Sequence, residues 1–337
     1  MFRSVIPLLA ALALFSANTA HSQSLELKLG HSGTPGSIQD LAASEFASRI
    51  NRELSGRASV SVHGESRLGA DTELLKKLKT GEVPLAIVAA PMSSVADEFG
   101  IFDMPFLVRN RAHLKLFRRP LMQKHLQPAA LAKGYRVLAM WDLGTYQIAN
   151  NTRPIKVPGD LGGLKFRAPN AAWRIRMLQS YGVQAVPFEI KDIYPALQSG
   201  TLDGLELPPP ALGSPGIPAT QKYLSLTGHL YSPAFLLIGE EQFQKLPPGV
   251  RDALLRHAEA IQDWSLERGE ELEARWLAIA AKTMTVNEAD RLAFTLAALP
   301  IYREFAGKVP AGKAMIRLVF RADPNPFISA AQYLPGL

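Results

Sequence analysis

Few residues in this chain have the means for covalent chemistry. Gly30-His31-Ser32-Gly33-Thr34 lies between an alternating stretch and a helical one, the setting of a nucleophile elbow. Thr34 stands where G-x-S-x-G requires its second glycine, so a secreted α/β hydrolase centred on Ser32 is only an alternative reading. The histidines are His21, His31, His63, His113, His125, His229 and His257, and no two form the H-x-x-x-H pair of a helical zinc site. There is no cysteine, which removes thiol catalysis, disulfides, iron–sulfur clusters and cysteine-held zinc. Neither G-x-x-x-x-G-K-[ST] nor G-x-G-x-x-G occurs, so nucleotide chemistry has no support. An enzyme is not expected, and no cofactor or metal is called for.

Arg167 is a different kind of candidate. It ends the predicted strand Leu164 to Ala168, and open α/β sheets place ligands at the carboxyl ends of strands. A planar guanidinium can offer two parallel donors to a carboxylate. An arginine at a strand end can equally be a surface charge, and position along one strand does not decide between the two.

The surrounding elements alternate. Leu25 to Leu29 has period two and reads as a strand, Gly30 to Ser37 as a glycine-rich turn, and Ile38, Leu41, Phe46 and Ile50 share a helical face closed by Gly56. Ala58 to Val62 is a strand; Asp71 caps a helix from Leu74 to Thr80 that Gly81 stops; Leu85 to Ala90 is a strand. Helical stretches around His113 to Phe117 and Leu121 to Lys133 precede a strand at Tyr135 to Trp141. A second series begins near Gly144, with strands at Gln147 to Asn150 and Leu164 to Ala168 and helices at Ala171 to Tyr181 and Lys191 to Ser199. Alternation of this kind implies parallel sheets covered on both faces, and two series imply two α/β lobes. After Pro208-Pro209-Pro210 come short strands at Tyr223 to Leu226 and Ala234 to Ile238, then one long helix from Pro248 to Met284. Gly269, in its middle, reads as a tolerated surface glycine or as a bend between lobes.

Arg3, the apolar run Val5 to Phe15 and a small-residue exit at Ala20-His21-Ser22 read as an export signal over residues 1–22, too short for a stable membrane anchor. The chain carries 37 Lys and Arg against 30 Asp and Glu, a net +7. No basic run interleaves with aromatics, which argues against nucleic acid.

One stretch is specific. Pro154-Ile155-Lys156-Val157-Pro158-Gly159-Asp160-Leu161-Gly162-Gly163-Leu164-Lys165-Phe166-Arg167-Ala168-Pro169 resembles the P-I-x-x-P-x-D-L-x-G-L-K-x-R-x-P signature of TRAP-transporter solute-binding proteins, the DctP-like family. Leu68-Gly69, Phe102-Asp103-Met104-Pro105-Phe106-Leu107, Asp192 to Gly200, Asp203-Gly204-Leu205-Glu206 and Thr227-Gly228-His229 resemble further family motifs in the right order. The resemblance covers essentially the whole chain after the signal. It implies an α/β fold of two lobes around a ligand cleft, joined by crossing strands and a long helix. It also implies a periplasmic location, a small carboxylate ligand, and delivery to a small and a large TRAP membrane subunit, with a monomer expected. Sensing for a membrane receptor through the same cleft is an alternative. The lobes are expected at 23–143, with 232–270 returning to that lobe, and at 144–231, with 271–337 packing on it.

The resemblance makes Arg167 the carboxylate clamp. Where many relatives carry a second arginine this chain has Tyr146, where sugar-acid binders place Asn it has Leu207, and where some have a polar group it reads Ala89-Ala90. Loss of these partners disfavours a polyhydroxylated or dicarboxylate ligand and favours a monocarboxylate with an apolar or aromatic body, or a small oxo or hydroxy acid. Tyr146, Trp173 and Phe188 are candidates to pack on it, each alternatively a core aromatic. Gln147 and Asn170 are expected to add hydrogen bonds, with Ser32 and Thr34 doing so from the opposite lobe. Glu206 matches a carboxylate beside which some relatives hold a cation, but Leu207 replaces the aromatic that often follows it, so no metal is expected.

Overall fold

Alternation and capping account for the first third of the fold in the computed structural model, which describes residues 24–209, 216–322 and 334. The expected signal segment lies outside the described residues. Strand β1 (Leu25–His31) runs parallel to β2 (Ala58–His63) on one side and β3 (Leu85–Val88) on the other. Helix α1 (Ile38–Glu53) starts where Ser37 Oγ accepts from Asp40 N, and buries Ile38, Phe46 and Ile50. It ends earlier than expected: Leu54 caps it, and Gly56, at φ +75°, serves the turn beyond. Helix α2 (Asp71–Thr80) stops at Gly81 in the left-handed region. Its cap is Ala70, so the expectation that Asp71 caps it is corrected. Asp71 is the first helical residue and shares the buried face of Leu74, Leu75 and Leu78. Strand β3 is shorter than expected because the chain turns into a 3-10 helix at Ala90, next to Pro91.

The middle of the chain departs most from the expectation. After α3 (Arg111–Leu121) and α4 (Gln127–Ala132), the two strands expected around residues 135–141 and 147–150 are one, β4 (Tyr135–Asn150). The expected lobe boundary between residues 143 and 144 therefore falls inside a continuous strand. Next come β5 (Lys165–Ala168), α5 (Ala172–Ser180), β6 (Gln184–Pro187), α6 (Ile193–Gln198), β7 (Gly204–Leu207) and α7 (Gly216–Thr220). The two short strands expected after the prolines are also one, β8 (Tyr223–Gly239). β4 and β8 pair antiparallel along almost their whole length, with register shifts at Val137/Ala139, Asp142/Gly144 and Tyr146/Ile148. These irregularities, with Gly144 at φ +119° and Pro233 opposite Asp142, broke the period that marks a strand.

The strands form one path, β2-β1-β3-β8-β4-β7-β5-β6, with β9 (Thr285–Glu288) joined to β8. The flanking pairs are parallel, as alternation implied; β3–β8, β8–β4 and β4–β7 are antiparallel, because β4 and β8 run between the halves instead of winding within one.

After α8 (Glu240–Lys245), helix α9 (Pro248–Thr283) has 36 residues, about 54 Å at 1.5 Å per residue. Its first half buries Leu254, Ala258 and Ile261 with Phe46, Ile50 and Trp141; near its end Ala280 packs with Ile193, Leu197 and Leu224. It thus braces both halves. Gly269 is not a surface glycine: it is buried within a helix that continues unbroken through it. A Cβ there would overlap the Asp142 carboxylate, so glycine is needed where the helix meets the crossing strand. Gly269→Ala is expected to destabilise the protein by about 1–3 kcal/mol in chemical denaturation. An unchanged midpoint would show that strand and helix can move apart without strain.

Candidate ligand-binding cleft

The loop after β1, the starts of α1 and α2 and the 3-10 turn after β3 form one wall of a cleft enclosing a cavity of about 170 Å³. β5, the segment from Glu189 to Tyr194 and the end of β7 form the other, and Leu143 and Tyr146 of β4 close the back. Two hydrogen bonds join the walls: Thr72 Oγ1 to Glu189 Oε1 at 2.8 Å, and Ser94 Oγ to Asn170 O at 3.0 Å.

Arg167 enters the cleft from β5, paired with Val186 of β6 and Leu205 of β7. Its Nε donates to Phe188 O at 2.9 Å, which fixes the plane of the guanidinium. That is its one hydrogen bond among the described residues, and no carboxylate there forms an ion pair with it. Burial lowers its pKa, against the pull of Tyr146, Glu206 and Asp71. The result is a half-buried, partly desolvated cation with two terminal nitrogens to offer, in surroundings apolar enough to strengthen a charge pair formed there.

Of the other candidates from the sequence, Ser32, Thr34, Ala89, Ala90, Tyr146, Glu206 and Leu207 line the cavity. Glu206 does so with both oxygens taken: Oε1 lies 2.5 Å from Arg174 Nη1 and Oε2 2.8 Å from His229 Nε2. Burial pushes its carboxyl up, but Arg174 and His229 outweigh this and hold it at about 2. Arg174 also binds Asp103 Oδ1 through Nε at 2.6 Å and lies over the Tyr146 ring, 4.7 Å from its centroid. A second arginine thus reaches Tyr146 and Glu206 from α5.

Four candidates stand outside the lining. Trp173 is in the core, its Nε1 donating to Asp97 Oδ1 at 3.0 Å and its ring edge-on to Phe305 at 5.0 Å. Its place on α5 puts it on the side packed against the 97–103 segment, where Gly100 leaves room for the indole. Gln147 is buried, its Oε1 accepting from Gly228 N at 2.8 Å, where β8 passes through φ +51°. Asn170 donates to Glu189 Oε1 at 2.8 Å, and Phe188 contributes its carbonyl to Arg167 while its ring packs with the Ile193 and Leu197 cluster. Ser32 Oγ has no hydrogen-bond partner, so no histidine activates it as a nucleophile.

Sequence reasoning missed Asp71 and Glu189, both in the lining. Asp71 could have been found, since 71, 74, 75 and 78 share one helical face and a carboxylate on a buried stripe calls for explanation. Glu189, in the loop after β6, carries no such signal.

The model of the bacterial extracellular solute-binding proteins, family 7, matches residues 29–308. This chain belongs to that family. A solute-binding protein of Verminephrobacter eiseniae is 30% identical over 300 residues, 88% of this chain and 89% of its own. Family 7 members of known structure share the two-lobed fold. A TRAP periplasmic solute-binding protein from Bordetella bronchispeptica, with bound density interpreted as pantoate, superposes with a TM-score of 0.84 at 28% identity over 89% of this chain and 100% of that one. One from Polaromonas, bound to D-erythronate, gives 0.83 at 27% identity over 88% of this chain and 98% of that one. Among the described residues, no helix of this family 7 member is long and apolar enough to cross a membrane.

Proposed function

We propose that this protein captures a small monocarboxylate with a largely apolar body in the periplasm, by closure of its lobes, and delivers it as a monomer to the small and large membrane subunits of a TRAP transporter. The observation that carries the reading is Arg167: a half-buried guanidinium at the cleft, oriented by Phe188, with no ion pair to a carboxylate among the described residues. Ala89, Ala90, Ile190, Ile193, Leu205, Leu207 and Ile217 around it offer no partners to a polyhydroxylated chain. The relatives described with pantoate and D-erythronate support a single carboxylate, and of the two pantoate has the apolar body. Closure would bring the Thr72 and Ser94 wall onto Glu189 and Asn170, the contacts that join the walls here.

A thermal-shift series of carboxylic acids on the purified protein tests this. Short monocarboxylates with an apolar body should raise Tm more than dicarboxylates or sugar acids, and small-angle scattering should register compaction on saturation. A larger shift with dicarboxylates, or binding without compaction, would contradict the proposal.

A further inference from the structure

The two walls of the cleft are tied by a short chain of hydrogen bonds. Glu189 Oε1 accepts from Thr72 Oγ1 on the first wall and from Asn170 Nδ2 on its own, each at 2.8 Å. The Asn170 carbonyl in turn accepts from Ser94 Oγ at 3.0 Å, which returns the chain to the first wall. Thr72, Ser94 and Asn170 stand outside the cavity lining, and only Glu189 belongs to it. Ser94 is exposed and the other three are half-buried. Water can therefore solvate each of these groups when the walls part, so the bonds can break and re-form readily, unlike the buried bridges of Arg174. Glu189 has a second connection through its neighbour. Phe188 O accepts from Arg167 Nε, and Phe188 N donates to Ala168 O, the residue that follows that arginine on β5. The Glu189 carboxylate itself turns to Thr72 and Asn170 and forms no ion pair with Arg167 among the described residues.

We propose that Glu189 and Asn170 form a latch with Thr72 and Ser94 that holds the cleft shut and sets how long a carboxylate stays, without choosing which carboxylate enters. The inference rests on the capture reading above and adds the positioning residues that retain the ligand. Glu189 Oε1 already has two donors, and Asn170 uses both its side-chain N–H and its carbonyl, so these atoms serve the walls and not the ligand. Making the Thr72 bond fixes the Phe188–Glu189 peptide, and with it the carbonyl that orients Arg167. Wall contact and carboxylate clamp are thus joined through adjacent residues. Loss of such a contact acts on the dissociation rate, because the open cleft that the ligand enters does not contain it.

Stopped-flow kinetics with pantoate and 3-methylbutanoate, two monocarboxylates with an apolar body, test this. Thr72→Val, which keeps the shape of the side chain without its donor, and Glu189→Ala should each speed release about three- to tenfold. Association should stay within about twofold of the wild type. The Kd of both acids should rise by the same factor, so their ratio is unchanged. Thr72→Ser restores the donor and should return release to near the wild-type rate; Glu189→Gln keeps an acceptor oxygen and should fall between. The double variant Thr72→Val/Glu189→Ala should release no faster than Glu189→Ala alone, since the bond from Thr72 is already lost there. Unaltered release in both single variants, or fully additive effects in the double, would overturn the latch. An effect confined to one of the acids would place these residues against the ligand and overturn it as well. If neither acid binds the wild type, the capture reading falls and the latch with it, an outcome distinct from binding with unaltered release.

Discussion

Arg167→Ala is expected to weaken binding of every carboxylate ligand by about 2–5 kcal/mol, roughly thirtyfold to several thousandfold, while leaving the fold intact. Truncation would leave a ligand carboxylate desolvated in a cavity with apolar walls, facing Asp71 and Glu189 without a counter-charge. The unliganded protein should tolerate the change, because it removes a cation that burial already disfavours and that forms no ion pair among the described residues. Its stability in denaturant should stay the same or rise. Arg167→Lys should fail almost as badly: an ammonium cannot donate to Phe188 O and also present two parallel donors outward. Calorimetry on a variant with native circular dichroism settles the point, and undiminished affinity would remove Arg167 from the clamp.

Arg174→Ala should have the opposite profile. Arg174 is 1% exposed and bridges Asp103, in the segment after β3, to Glu206 on β7. Its removal leaves two buried carboxylates short of their shared cation, a loss of about 3–5 kcal/mol in the free energy of unfolding. The pH dependence reads the share of Glu206, against that of Asp103, which burial pushes up to about 6 even beside Arg174 and which therefore adds stability as pH falls. Glu206 is held at about 2 in the folded protein against an ordinary 4.5, so its ionised form contributes stability above pH 4.5 that is lost as pH falls through 2. Without Arg174, burial is opposed mainly by His229, the carboxyl rises, and that acid limb should flatten. Denaturation curves at several pH values read both effects. A loss below about 1 kcal/mol with the acid limb unchanged would mean that the network contributes no more than a surface pair.

What could be read in advance divides along physical lines. Local signals, such as the β1 alternation, the face of α1 and Gly81 after α2, depend on neighbours in sequence and were legible. β4 and β8 were each cut in two because bulges, Gly144 and Pro233 are local breakers that long-range pairing overrides. Arg167 was legible through the resemblance and its strand, whereas Trp173 was ambiguous because an aromatic at helical spacing suits a core as well as a ligand. Arg174 gave no warning. Its reach from α5 to Asp103 and Glu206 is a matter of three-dimensional packing, as is the requirement for glycine at 269 opposite Asp142.

The interleaving of β8 between β3 and β4 also governs the order in which the molecule can assemble. Val88 of β3 pairs with Phe235, and the face of α1, packed on β1 and β2, is completed by Trp141 and α9. β1, β2 and β3 pair among themselves, but the outer edge of β3 stays open until residues up to Gly239 are available, because β8 fills the place between β3 and β4. Contacts of such sequence separation fold slowly, with apolar strand edges open to association in the meantime. The architecture that ties the two halves through β4, β8 and α9 thus leaves neither of them complete until its last strand is made.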